Sequence, residues 1–565
     1  MKFNDFPYNR PCITSLQVDF NGALDKFITA TTFKAQDELM VEINILRSDF
    51  ESMQEIVGIR NTIDTTDKFY EEEQTFFDEN TPLYQELISK YYTALINSNF
   101  KPQLIEKWGK QLFTLAELTL KTFSPLIIED LKEENKLTSE YTKLIASAKI
   151  MFQGEETNLS GLTPFEQSTD RTIRKAASQA KWGFFKANEI KLDSIYDSLV
   201  KVRTTIAKKL GYKNFVEVGY ARMLRSDYNP EMVSTYRKQV EKYIVPIASK
   251  LREKQKKRLG LEALYYYDEN ITYKDGNAKP KGDPEWILNN AKKMYTELSP
   301  ETKEYINFMI DNGLLDLVNK KGKAGGGYCT YISKYNSPFI FSNFNGTSGD
   351  VDVLTHESGH AFQVYSSRGF NIPEYHFPSS ESAEIHSMSM EFLTWPWMNL
   401  FFEEQTDKYK FSHLSGALLF IPYGVTVDEF QHFVYENPTA TPKERKAAWR
   451  TIEKKYLPHR NYEDNEFLED GGFWQKQGHI YEVPFYYIDY TLAQICALQF
   501  WKKANENREA AWEDYKTLCK AGGSKSFLEL VKLAKLQSPF EEESFKLITS
   551  HIEEWLNNVD DSKLM

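Results

Sequence analysis

"DVLTHESGHAFQVY", residues 352–365, decides how the rest of the chain is read. His356 and His360 stand four apart with Glu357 beside the first, in a largely apolar run. Side chains four apart share one helix face, so two imidazole nitrogens can meet one ion. Zinc accepts such ligands, and a catalytic zinc site needs a third protein ligand plus water. Glu357 then stands where a general base reaches that water. The competing reading is a helix with two hydrogen-bonded core histidines. A third ligand separates the two.

That ligand lies downstream. A metzincin would carry glycine and histidine where Gln363 and Ser366 stand, so that class is excluded. The short thermolysin-like spacing lands on Ser379 and Ser380, neither a carboxylate. Further on, "SSESAEIHSMSMEF" (379–392) offers Glu381, Glu384 and Glu391. Glu384 is followed three residues later by Ser387, the ExxS pattern of zincins that complete HExxH with a glutamate. Glu391 sits two turns below it on the same face, placed to orient a ligating histidine from behind. Glu381, one turn above, reads as a solvated carboxylate. Glu384 is the expected ligand with Glu391 behind it, and an exchange of the two roles is the alternative.

The rest of the chain sets the context. At 565 residues it exceeds the usual single compact unit. It reads as mostly helical: Leu39, Ile43, Leu46, Phe50, Met53 and Val57 form one stripe. A second helix is expected to open at "TPLYQELISKYYTALIN", with Thr81 as cap and Pro82 in the first turn. Helical patterns also cover 102–150, 169–210 and 230–260, and 274–284 reads as a surface loop. The one clear strand is "SPFIFSNF" (337–344), between "KAGGGY" (323–328) and the turn "NGTSGD" (345–350). Ser348 or Asp350 then caps the HESGH helix, which runs to about Ser367.

A net charge of −12 argues against nucleic-acid and anionic-membrane partners. The basic run at 250–260 reads as a solvated helix face. Cys12, Cys329, Cys496 and Cys519 are too scattered for a disulfide framework or a metal knuckle. The first residues carry no basic-then-apolar signal pattern. The longest apolar run, 417–427, is too short for a membrane span and contains Pro422. A cytoplasmic protein is expected. All nine histidines lie between 356 and 551, which confines imidazole chemistry to that part.

With "SAEIHSMSMEFLTWPW" (382–397) behind it, the HESGH stretch resembles the thimet-oligopeptidase family of zinc metallopeptidases. The nearer likeness is to its oligoendopeptidase F and Pz-peptidase branch. "STDRTIRKAASQAKWGFF" (168–185), "IAKKLGYKNFVEVGYARM" (206–223) and "GHIYEVPFYYIDY" (478–490) support it. The likeness spans most of 160–565, and the N-terminal part fits by architecture only. His386 stands where oligoendopeptidase F proper tends to carry a small residue, which favours the Pz-peptidase side and leaves the peptide preference open.

The resemblance implies a mostly α, zincin-type (neurolysin-like) helical shell with a deep substrate channel and a small β-sheet beside the HExxH helix. It would divide into an N-terminal helical lobe, 1–185, and a zinc peptidase catalytic region, 186–565. The implied activity is a zinc-dependent oligoendopeptidase acting on short peptides, with one zinc ion per chain. His356, His360 and Glu384 would hold the metal and Glu357 would serve as base. By analogy, strand 338–344 would be the sheet edge along which substrate lies; an interior strand is the alternative. Gly325–Gly327 reads equally as a mobile loop over the site or a surface turn.

Charge on the reacting carbonyl oxygen needs donors, and the resemblance offers His479, Tyr486 and Tyr490, with Tyr487 able to replace either tyrosine. Tyr486 and Tyr490 lie four apart after Pro484; an aromatic core stripe is the bland reading. His376 and His386 flank the ligand helix and stay outside the catalytic set, His386 with a possible contact to substrate. Two other functions stay open: a carboxypeptidase or dipeptidyl carboxypeptidase on the same fold, and a non-catalytic helical peptide-binding protein. The sequence does not state the oligomeric state.

Overall fold

The stripe from Leu39 to Val57 lies on helix α1, Phe33–Ile63, in a computed structural model that describes residues 1–560 and 564. Thr32 caps it by accepting from the Ala35 N–H, and Ile43, Phe50, Met53 and Val57 are buried. The next helix, α2, runs Lys68–Ile96 and corrects the expected start at Thr81. Asp67 is the cap, accepting from the Phe69 and Tyr70 N–H groups, and Pro82 sits inside the helix, buried. Proline removes one helical N–H and leaves the carbonyl four residues earlier without its partner. Here that carbonyl, Asp78 O, accepts from Asn135 Nδ2 at 3.1 Å. A tertiary contact repairs the rung, so the helix continues through the proline.

The expected helical blocks appear with breaks. The first is Lys101–Trp108, Lys110–Leu120 and Ile128–Ala146, followed by a two-stranded hairpin, β1 (Ile150–Phe152) and β2 (Glu155–Thr157). Gly109, at φ 87°, turns the chain between the first two helices. The basic run lies on helix Val245–Leu259. Lys254 and Lys257 are exposed, but Arg252 turns inward to Glu269 at 3.3 Å, so that face is only partly solvated.

Three strands support the HESGH helix: β3 (Leu315–Val318), β4 (Tyr328–Ile332) and β5 (Ser337–Phe344). Their order is β3-β5-β4, parallel on one side of β5 and antiparallel on the other. The expectation of 338–344 as the sheet edge is therefore wrong: β5 is the middle strand. Its near-continuous apolar run fits burial on both faces. Gly325–Gly327 is pinned by Asn343 Nδ2, which donates to Ala324 O at 2.9 Å and Gly326 O at 2.8 Å.

Helix α3, Gly349–Ser367, carries HESGH and packs on β4 and β5. Ser348 is its N-cap residue but makes no side-chain cap bond. Asp350 closes the preceding turn, accepting from the Asn345 and Gly346 N–H groups at 2.8 and 2.9 Å. Against α3 lies α4, Ser380–Leu393. Gly359 allows their close approach: a Cβ there would sit 2.6 Å from both His386 O and Ser387 Cα. Helices α5, Thr406–Glu436, and α6, Tyr487–Glu506, complete the surroundings of the site. Among the described residues no helix is long and apolar enough to cross a membrane.

Candidate metal centre

One turn of α3 separates His356 from His360, and α4 brings Glu384 against both. Glu384 Oε2 lies 3.2 Å from His356 Nε2 and 3.3 Å from His360 Nε2. A tetrahedral zinc with bonds of about 2.0–2.1 Å has ligand–ligand edges of about 3.3 Å. The donor set therefore fits zinc in chemistry and in spacing. Burial pushes the Glu384 carboxyl up, but His360 and His356 outweigh it and hold it well below the usual range. Ser387 Oγ donates to Glu384 Oε2 at 2.8 Å, giving the ExxS spacing its physical sense.

Glu391 is the orienting carboxylate, so the alternative exchange with Glu384 falls away. Its Oε1 lies 2.7 Å from His356 Nδ1, which leaves Nε2 turned toward Glu384. Its Oε2 binds His413 Nε2 at 2.8 Å. His413, on α5, was not singled out by sequence; the crowding of histidines into the C-terminal part was the only signal. Asp352 is a second omission: it accepts from Tyr409 at 2.6 Å, and burial pushes its carboxyl up to about 6.

Glu357 projects from α3 beside the cluster. Its Oε2 is buried and finds no hydrogen-bond partner among the described residues, and burial raises its carboxyl above the usual range. Gly327 lies close by, since a Cβ there would come within 3.3 Å of Glu357 Oε1.

Tyr486 Oη donates to Glu384 Oε1 at 2.5 Å. Tyr490 and His479 meet at 3.1 Å between Oη and Nε2. A chain of bonds sets the tautomer. Tyr423 donates to Gln477 Oε1 at 2.8 Å, which turns the Gln477 amide N–H toward His479 Nδ1, also at 2.8 Å. His479 Nδ1 thus accepts, its Nε2–H donates to Tyr490, and the Tyr490 proton is left for another acceptor. Burial lowers the His479 imidazole to about 4, so it is neutral at pH 7. Tyr487 faces the same cavity and bonds neither Glu384 nor His479. That cavity, about 420 Å³, is lined by His356, Glu391, His413, His479, Tyr487 and Tyr490.

Two expectations fail here. Glu381 is not solvated: it is 1% exposed, and burial together with Asp489 raises its carboxyl well above the usual range. His386 has no reach to substrate, being fully buried with Nδ1 bonded to Ser382 O at 2.7 Å. His376 binds Phe370 O at 2.9 Å and stays structural.

Comparison with known proteins agrees with this geometry. Residues 165–547 match the profile of "Peptidase family M3", and residues 3–123 match "Peptidase M3 N-terminal domain". The solved structure of a Pz peptidase A with an inhibitor is 63% identical, with TM-score 0.99 over 99% of this chain and 100% of that one. A solved chain from Bacillus anthracis is 60% identical, with TM-score 0.94 over 100% and 99%. An oligoendopeptidase F homolog of Borreliella burgdorferi is 26% identical over 71% of this chain and 70% of its own. With the His-His-Glu cluster in place and a family profile covering most of its length, the chain belongs to peptidase family M3.

Proposed function

We propose that the chain is a zinc-dependent oligoendopeptidase that cuts internal bonds of short peptides, with one zinc ion per chain. One observation carries the reading: the unpartnered Glu357 carboxylate beside three ligand atoms spaced for zinc. Zinc, when bound, is a Lewis acid that polarises the scissile carbonyl and lowers the pKa of water. Glu357 takes the proton from the attacking water and delivers it to the departing amine. Its raised pKa suits a base that must later act as an acid. Tyr490, freed to donate by His479, and Tyr486 stabilise the negative charge growing on the carbonyl oxygen.

Substrate backbone is proposed to run along the outer strand β4 rather than β5, because β4 leads out of Gly327 beside Glu357. The peptidase names of the relatives support the substrate class. We assign 1–185 to a helical lobe, 186–565 to the catalytic region, and the protein to the cytoplasm. Digestion of a length-graded peptide set, with and without chelator, tests the proposal. Internal cleavage of short peptides that chelator abolishes is expected, including cuts in peptides with blocked C-termini, which an exopeptidase would leave intact. Glu357→Gln should keep the metal and lose about 10²–10⁴ in kcat; near-normal turnover would overturn the assignment.

A further inference from the structure

A second cavity, about 340 Å³, adjoins the site cavity, and Ser412, Gly416 and Phe420 of α5 line both. Its wall carries five cationic side chains and two carboxylates. Both carboxylates are engaged by other cations: Glu166 pairs with Lys181 at 3.0 Å, and Glu269 lies between Arg460 at 2.8 Å and Arg252 at 3.3 Å. Lys476 stands apart from these pairs. Its Nζ lies 4.4 Å from the Phe473 ring centre, 5.7 Å from Tyr423 and 6.0 Å from Trp182. No hydrogen bond or ion pair reaches it among the described residues. Burial, with Lys181 and Arg460 nearby, lowers its ammonium to about 7.

A cationic surplus on an aromatic wall favours an anion small enough to leave the rings in place. A carboxylate fits, and one bonded to Lys476 would recover the pairing that a buried ammonium otherwise forgoes. The position matters too. Lys476 immediately precedes Gln477, the residue that orients His479, so cavity and donor network hang on one short segment.

We propose that this cavity receives a carboxylate of the peptide substrate, foremost its C-terminal carboxylate, with Lys476 as the positioning cation. The inference rests on the peptidase reading and adds a substrate feature to it. The same charge repels a peptide's ammonium end, so the cavity selects the direction in which peptide enters. It also ties the cut to a short distance from the C-terminus, which disfavours long chains without any need for a closed wall.

The test uses the zinc-loaded enzyme and three N-terminally blocked peptides sharing one cleavable core: the free acid, the C-terminal amide, and an amide ending in glutamate. The free acid should be favoured over the plain amide on the order of tenfold to a hundredfold in kcat/KM, mostly through KM. Lys476→Met should erase that preference while cutting the plain amide as wild type does. Lys476→Arg, which keeps the charge, should retain most of it. Recovery of the preference by the glutamyl amide assigns the site to carboxylates in general; no recovery assigns it to the chain terminus. Equal cleavage of acid and amide by wild type, or a preference that survives Lys476→Met, overturns the inference and leaves the peptidase reading standing. A zinc-loaded enzyme that cuts none of the three overturns both.

Discussion

Replacing Gly359 by alanine should damage the metal site far more than the fold. The added Cβ would meet His386 O and Ser387 Cα at 2.6 Å, both backbone atoms of α4. Non-bonded carbon atoms rest at about 3.5–4.0 Å, so α3 and α4 must separate by about 1 Å. Neither contact is the end of a flexible side chain, so a rotamer change gives no relief. Overpacking of this kind costs about 1–3 kcal/mol. Alanine returns about 1 kcal/mol of helix propensity, leaving a net loss of about 0–2 kcal/mol. Glu384, one turn before Ser387 on the displaced helix, moves away from His356 and His360. Its 3.2 and 3.3 Å separations then exceed the edge zinc needs. A displacement of about 1 Å at reacting groups costs about 10²-fold in rate. Zinc affinity by chelator competition, kcat/KM on a short peptide and the thermal transition should be read together. The expected result is weakened zinc binding and a near-hundredfold lower kcat/KM with a small change in melting. Wild-type zinc affinity and turnover would refute the reasoning, as would a loss that only follows unfolding.

Other outcomes follow from the same geometry. Glu391→Gln removes the carboxylate shared by His356 and His413 and should weaken zinc binding about 10–100-fold, measured by the same competition. Tyr486→Phe should lower kcat by about 10²–10³ with KM nearly unchanged; activity restored by excess zinc would instead make Tyr486 a prop for Glu384. His459 is lowered by burial to about 4 from 6.5, while Glu269 raises it and Arg252 and Arg460 lower it. Between these values the unfolded chain binds the extra proton, so this contribution to stability is complete above about 6.5 and is lost as pH falls toward 4. His459→Phe should make the fall in urea midpoint across pH 4.5–6.5 shallower, by the share of one proton; an unchanged slope would count against it.

The HESGH helix, its three ligands and the orienting Glu391 were legible in the sequence because helical spacing converts directly into a shared face. Pro82 was misread because Thr-Pro is also a helix-start signal, and the group that repairs the rung is Asn135, 53 residues further on. The place of 337–344 within its sheet depends on two short strands, "LDLV" and "YCTYI", whose patterns are too brief to rank against it. His413 has no spacing rule linking it to Glu391, since they come from different helices. Glu381 looked solvated because a helix heptad does not reveal that α6 covers its outer face. What local chemistry dictates was readable, and what two distant segments settle between them was not.

The sheet beside the site has a backing that reaches across the chain. Thr330 and Tyr328 of β4 bond Glu55 and Thr62 of α1, at 2.6 and 2.7 Å, and Ser333 bonds Ser48 at 2.8 Å. Farther along α1, Arg47 pairs with Glu374 at 2.7 Å, in the segment between the two zinc-ligand helices. The two stretches that match separate family profiles are thus not interchangeable cassettes. Excision of the first would strip the reverse of the strand beside Glu357 and bare its polar groups. A chimera that swaps N-terminal portions between relatives would have to transplant this face of α1 intact, or lose a catalytic apparatus to which that portion contributes no catalytic group.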